Sequence, residues 1–216
     1  MKIVNEIDIK SPSLLKVKFG DLLLPTDLDY AFNNTFKKEH VRLVTDGKDS
    51  YEHIIRKTHW YSTSEKCVSH SRLMEGLING SMVILMYQSH LNRKISDLCK
   101  DIESSFSGHY ADAHIFISGD NCKQSFPLHA DQSHNLIIQV SGSQQVFVEQ
   151  LGLIKLQSGD VLFIPQGYMH QVLTEGRRVS VSIPFICTKR DHEFEINTRS
   201  TDKASKIVFS NSKVLK

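Results

Sequence analysis

Residues 135–185 read NLIIQVSGSQQVFVEQLGLIKLQSGDVLFIPQGYMHQVLTEGRRVSVSIPF, and the punctuation of this stretch decides the fold. Short apolar or alternating runs (NLIIQV, QQVFVEQ, LIKL, VLFIP, YMHQVL, RRVSVSIPF) are separated by SGS, LG, QSGD, QG and TEG, and ADAHIFIS with GDN precedes them at 111–121. Each run is short, and each break offers the Gly or small polar residues that turns require. Many short strands at this spacing predict a β-sandwich or barrel rather than an alternating α/β sheet.

Upstream the pattern is mixed. KIVNEIDI and LLKVKFGDLLL, within residues 2–24, read as strands. PTDLDYAFNNTFKKE carries a Thr/Asp start signal and places Leu28, Ala31, Phe32 and Phe36 at helical spacing. SRLMEGLI predicts a short helix, NGSMVILMY a turn and a buried strand, and NRKISDLCKDIESSF an amphipathic helix with Ile95, Leu98, Cys99, Ile102 and Phe106 on one side. Residues 45–70 are polar and irregular apart from IIRKTHWY and carry no assignment. With no repeat of 20–50 residues and no low-complexity linker, residues 1–216 are expected to form one domain. Its parts are an N-terminal elaboration over 1–79, a β core over 80–187 and a mobile C-terminal tail over 188–216.

A 40% hydrophobic, 23% charged chain of 216 residues is ordinary globular composition, long enough for a real core. A formal net charge of +2 excludes the global basic field typical of nucleic-acid binders. The N-terminus MKIVNEIDIK lacks an apolar signal region, and the longest apolar run, MVILMY, is too short to cross a bilayer, so a soluble, cytoplasmic protein with no membrane partner is expected. Cys67, Cys99, Cys122 and Cys187 are too widely spaced for a zinc knuckle and read as reduced thiols.

Within PLHADQ, His129 and Asp131 stand two residues apart, and on an extended segment such residues project to one face. A surface histidine beside a turn aspartate is the plain alternative. SGDVLFIPQGYMHQV places His170 on a later strand, where it either packs as a strand residue or faces the same interior. Two histidines and a carboxylate on one metal form a facial triad with three adjacent open positions. Imidazole and carboxylate suit Fe(II), although Mn, Co, Ni and Zn fit the same donors, and the lack of thiolates argues against a structural zinc site.

HADQSHNLIIQVSGSQ followed by GDVLFIPQGYMHQV resembles the double-stranded β-helix core of the cupin-like JmjC oxygenases, over about residues 80–187. That family uses Fe(II), 2-oxoglutarate and O₂. The resemblance implies a mainly β fold with flanking helices (α+β), a jelly-roll or cupin-like barrel, and His129, Asp131 and His170 as catalytic iron ligands. It also implies that Asn135 touches 2-oxoglutarate. One departure is plain: the family pattern has a basic residue after QxxG, and Gln144 stands there. An amide can donate to a carboxylate but cannot form a charge-assisted pair.

The candidate replacement is Arg178, as in the prolyl-hydroxylase type of 2-oxoglutarate oxygenase. Strand parity puts Arg178, Ser180 and Ser182 on one face and Val179, Val181 and Ile183 on the other. A guanidinium fork matches a carboxylate bidentately. The alternative makes Arg177 and Arg178 exposed turn residues beside Gly176. Gln139 and Ser125 are candidates to line the cavity; Tyr168 shares the parity of His170, His134 is expected outside the metal set, and Asp160 is expected to serve its turn.

The implied function is an Fe(II)- and 2-oxoglutarate-dependent dioxygenase that hydroxylates a substrate C–H, or demethylates through hydroxylation. A protein side chain is favoured as substrate over RNA or a small metabolite, with recognition expected from the N-terminal residues and loops. Two alternatives stay open: a catalytically silent metal-binding barrel with a binding or regulatory role, for which Gln144 is the best sign, and a cupin enzyme that does not use 2-oxoglutarate. Oligomeric state is not legible in the sequence.

Overall fold

The structure is a computed structural model that describes residues 3–35, 37–50, 54–60, 63–122, 125–174 and 176–187. The expected tail over 188–216 lies outside the described residues, as does Phe36. In chain order the elements are β1 (Ser13–Leu14), α1 (Pro25–Asn34), β2 (Val41–Thr45), β3 (Lys48–Asp49), β4 (Ile55–Trp60), β5 (Thr63–Val68), α2 (His70–Ile78), β6 (Met82–Leu85), α3 (Arg93–Ser105), β7 (His109–Ala111), β8 (His114–Ser118), β9 (His129–Ala130), β10 (His134–Ser141), β11 (Ser143–Val148), β12 (Gly152–Gln157), β13 (Val161–Ile164), β14 (Met169–Thr174) and β15 (Arg178–Cys187).

From β8 onward the chain passes back and forth between two antiparallel sheets, with β11 and β12 as a hairpin within the smaller. The larger has the order β1-β13-β10-β15-β8-β6-β2-β3, with β7 also paired to β15; the smaller has the order β12-β11-β14-β9. The eight strands β8 to β15 thus form a double-stranded β-helix, a jelly roll of mostly β character with helices against one face. β4 and β5 form a separate hairpin.

Period-two alternation assigns each strand's two faces to different surroundings. On β10, Leu136 and Ile138 join a core that includes Ile95, Leu98 and Ile102 of α3, while Ile137 joins Val146, Leu156 and Ile164 between the sheets. On β15, Val181, Ile183 and Phe185 pack toward the helices. Each such fully buried aliphatic side chain contributes roughly 1.5–3 kcal/mol.

The buried face of α3 is the one its periodicity predicts. Its N-cap is Asn92, whose side chain accepts from Ile95 N (2.9 Å) and donates to Leu22 O and to Asp27 Oδ2, tying α3 to the start of α1.

The two N-terminal strand predictions are corrected. KIVNEIDI contains a 3-10 turn, Ile3–Glu6, and of LLKVKFGDLLL only Leu14 is strand, as the second residue of β1. A strand would put Ile3 and Ile7 on one face and Val4 on the other, whereas the turn lets all three pack against the same core. The Glu6 carboxylate takes the N–H groups of Lys16 and Val17 that a ladder would otherwise satisfy. Within residues 45–70 the unassigned sequence forms β3, β4 and β5. No helix among the described residues is long and apolar enough to cross a membrane.

Candidate metal and anion site

His129 and His170 are cross-strand partners on β9 and β14, and Asp131 follows β9 directly. Their donor atoms lie within 4.8 Å of one another. Nε2 of His129 is 3.7 Å from Asp131 Oδ1, and Nε2 of His170 is 3.5 Å from Asp131 Oδ2. Nδ1 of His129 meets Pro127 O at 2.8 Å and Nδ1 of His170 meets Tyr168 O at 3.0 Å. A carbonyl can only accept, so each Nδ1 carries the proton and each Nε2 keeps its lone pair toward Asp131. Burial pushes His170 below the ordinary histidine range, which favours the neutral imidazole a metal needs. The residues fit a divalent cation with two imidazoles and one carboxylate.

This cluster opens on a cavity of about 570 Å³. Asn135, Gln144, Arg178, Ser180 and Ser182 all line it. Arg178 is 2% exposed and has no carboxylate partner among the described residues. Its Nη1 donates to Ser180 Oγ (2.7 Å), its Nη2 to Met82 Sδ (3.5 Å), and its Nε has no partner among the described residues. Burial pushes the guanidinium down to about 10, while the nearby Cys122 acts the other way, so it remains a cation at neutral pH. The Gln144 amide is buried, and neither its nitrogen nor its oxygen has a hydrogen-bond partner among the described residues. Asn135 accepts from Ser182 Oγ and approaches Asp131 Oδ2 at 3.4 Å, so these two belong to the metal end and Ser180 to the arginine end.

Gly142 explains how Arg178 is seated. At φ +70° it occupies the left-handed region, and a Cβ there would lie 2.3 Å from Arg177 O. The tight SGS turn therefore presses against the start of β15. Arg177 points outward and pairs with Asp120 at 2.9 Å.

Other sequence candidates sort as follows. Ser125 lines the cavity, whereas Gln139 is buried outside it and donates to Ser141 O. Tyr168 bonds Lys10 O through its hydroxyl and packs between the sheets. His134 packs against Phe163 and Phe185, away from the metal cluster, and Asp160 accepts from Gln157 N in its turn. Sequence reasoning missed Arg42, Asp49, His114 and Phe126 in the lining. The Asp46-Gly47 dipeptide after an apolar run, a strong hairpin signal, could have found the first two.

The topology defines a double-stranded β-helix, or jelly roll, with a two-histidine, one-carboxylate cluster on its cavity. Among solved structures, the chain is similar to the ribosomal oxygenase YcfD from Escherichia coli in complex with cobalt and succinic acid, at 18% identity, TM-score 0.61, covering 93% of this chain and 55% of that one. It is similar to the same enzyme in complex with cobalt and 2-oxoglutarate, at 20% identity, TM-score 0.57, covering 92% and 56%. This chain thus spans little more than half the length of those proteins, and the likeness is one of fold. No family model and no curated protein matches the sequence.

Proposed function

We propose that the protein is an Fe(II)- and 2-oxoglutarate-dependent dioxygenase. The observation that carries the reading is one cavity holding both a His-Asp-His donor set and a buried arginine without a carboxylate partner among the described residues. A buried cation is costly unless something compensates it. A dianionic keto acid would span the two ends of the cavity chemically, with one end on the metal and a carboxylate on Arg178.

His129, Asp131 and His170 would hold the metal, with their Nδ1–H bonds fixing the rings. Arg178 would take the distal carboxylate of the cosubstrate as a fork, helped by Ser180, and Gln144 would add a neutral amide donor. Ile84, Phe116, Ile137 and Val172 give the cavity apolar walls that exclude water. Iron(II) with 2-oxoglutarate and O₂ supplies the oxidising power for hydroxylating a C–H, including that of an N-methyl group. The fold neighbour described as a ribosomal oxygenase favours a protein side chain as substrate over RNA or a small metabolite.

The test is anaerobic titration of 2-oxoglutarate into the Fe(II)-loaded protein, following the visible metal-to-ligand charge-transfer band. The band should form in the wild type and weaken greatly in Arg178→Ala. Stoichiometric iron with no band would instead favour the silent barrel that Gln144 hints at, or a cupin that works without 2-oxoglutarate.

A further inference from the structure

We propose that Arg42, contributed from outside the β-helix, is a positioning residue for the metal ligand His129 and acts through Phe126. The inference rests on the metal-centre reading above. β9 is a two-residue strand at the edge of the smaller sheet, yet it carries His129 and leads directly to Asp131. The third candidate ligand, His170, lies on a six-residue strand with neighbours on both sides, and its side chain is 4% exposed against 35% for His129. His129 therefore depends more on contacts outside its own ladder.

Those contacts form a chain. The Phe126 ring meets the His129 ring edge-on, with centroids 5.9 Å apart at 69°. Gln171, next to His170, donates to Phe126 O at 3.3 Å and fixes the backbone of that segment. The Arg42 guanidinium lies 5.0 Å from the Phe126 centroid, within reach of a cation–π attraction. Asp49 holds the guanidinium by two bonds, Nε to Oδ1 at 2.9 Å and Nη2 to Oδ2 at 2.6 Å. Asp49 can do so because Asp46 and Gly47, at φ +50° and +73°, fold β3 back beside β2. An ion pair this exposed contributes little to stability. What it does provide is a fixed orientation for a cation over the ring that flanks His129.

The experiment is calorimetric titration of Co(II) into the metal-free full chain, with the cobalt absorption spectrum reporting coordination, alongside melting of each metal-free variant. Arg42→Ala should weaken Co(II) binding by about tenfold, the scale on which groups that orient metal ligands act, with the metal-free melting point unmoved. Arg42→Lys, which keeps the cation but loses the fork, should recover part of that loss. Asp49→Asn leaves the barrel core untouched and should also weaken binding. Phe126→Leu should reproduce the loss, and adding Arg42→Ala to it should cost nothing more, because both act on one path. Wild-type affinity in both Arg42→Ala and Asp49→Asn would overturn the proposal alone. Failure of the wild type to bind Co(II) would overturn the metal-centre reading with it.

Discussion

His129 and His170 face each other across β9 and β14 with ring centroids 4.4 Å apart, and each hydrogen-bonds through Nδ1 to the carbonyl two residues before it. The same local device on two strands aims both Nε2 atoms at Asp131. His129→Ala, Asp131→Asn and His170→Ala are each expected to weaken Co(II) or Fe(II) binding at least about a hundredfold, more than the 10–100-fold typical of outer-shell changes. Calorimetry on the metal-free protein checks this.

Arg178 is a buried cation whose hydrogen-bonded partners are a hydroxyl and a thioether. Replacing a costly buried charge with an apolar chain of similar length is expected to raise stability, so metal-free Arg178→Met should be more stable by about 1 kcal/mol or more and melt higher. The same variant should lose stabilisation by 2-oxoglutarate in the presence of metal, which for the wild type reaches about 2.7 kcal/mol at a hundred times Kd. Thermal melts with and without cosubstrate read both effects.

Gln144 and Arg178 line one cavity from different sheets. Gln144→Lys adds a second buried cation near Arg178 and is expected to lower stability by a few kcal/mol without improving 2-oxoglutarate binding. In the double variant Gln144→Lys, Arg178→Met the site again has one cation, and cosubstrate binding should partly return. Charge-transfer titration across the four proteins checks the exchange.

Asp160 links the turn before β13 to the N-terminal segment through Lys18 Nζ at 2.8 Å. Burial acts to raise its pKa, but the Lys18 ammonium and the Gln157 N–H outweigh it and hold the carboxyl below the ordinary value. A carboxylate depressed in the folded state adds stability above its unfolded value, near about 4, and that stability is lost as pH falls through the folded value. Melting from about pH 6 to about pH 2 should show the wild type losing more stability than Asp160→Asn, with the two converging at the acid end.

The strands of the barrel were legible because each buries one face at period two between explicit turn residues. Hence NLIIQV and RRVSVSIPF appear as β10 and β15 within a residue or two, and β8 is the last five residues of ADAHIFIS. That Arg178, Ser180 and Ser182 share a face followed from the same parity; that this face lines the cavity did not. KIVNEIDI misled because Ile3 and Ile7, four apart, share a face in a strand as well as in a helical turn, and only the packing of Val4 beside them on a core built by later strands selects the turn. Arg42 was invisible for a related reason: its value lies in reaching Phe126, 84 positions away in the chain.

By itself the sequence determined the strand series of the barrel and the amphipathic face of α3, because local period and turn chemistry are properties of adjacent residues, and it offered His129, Asp131 and His170 as candidates. Only the tertiary structure decided that His129, Asp131 and His170 converge, that Arg178 is buried facing the same cavity without a carboxylate partner among the described residues, and that Arg42 stacks on Phe126. Those relationships depend on strand order and sheet closure, which bring together residues whose separation along the chain carries no local signal.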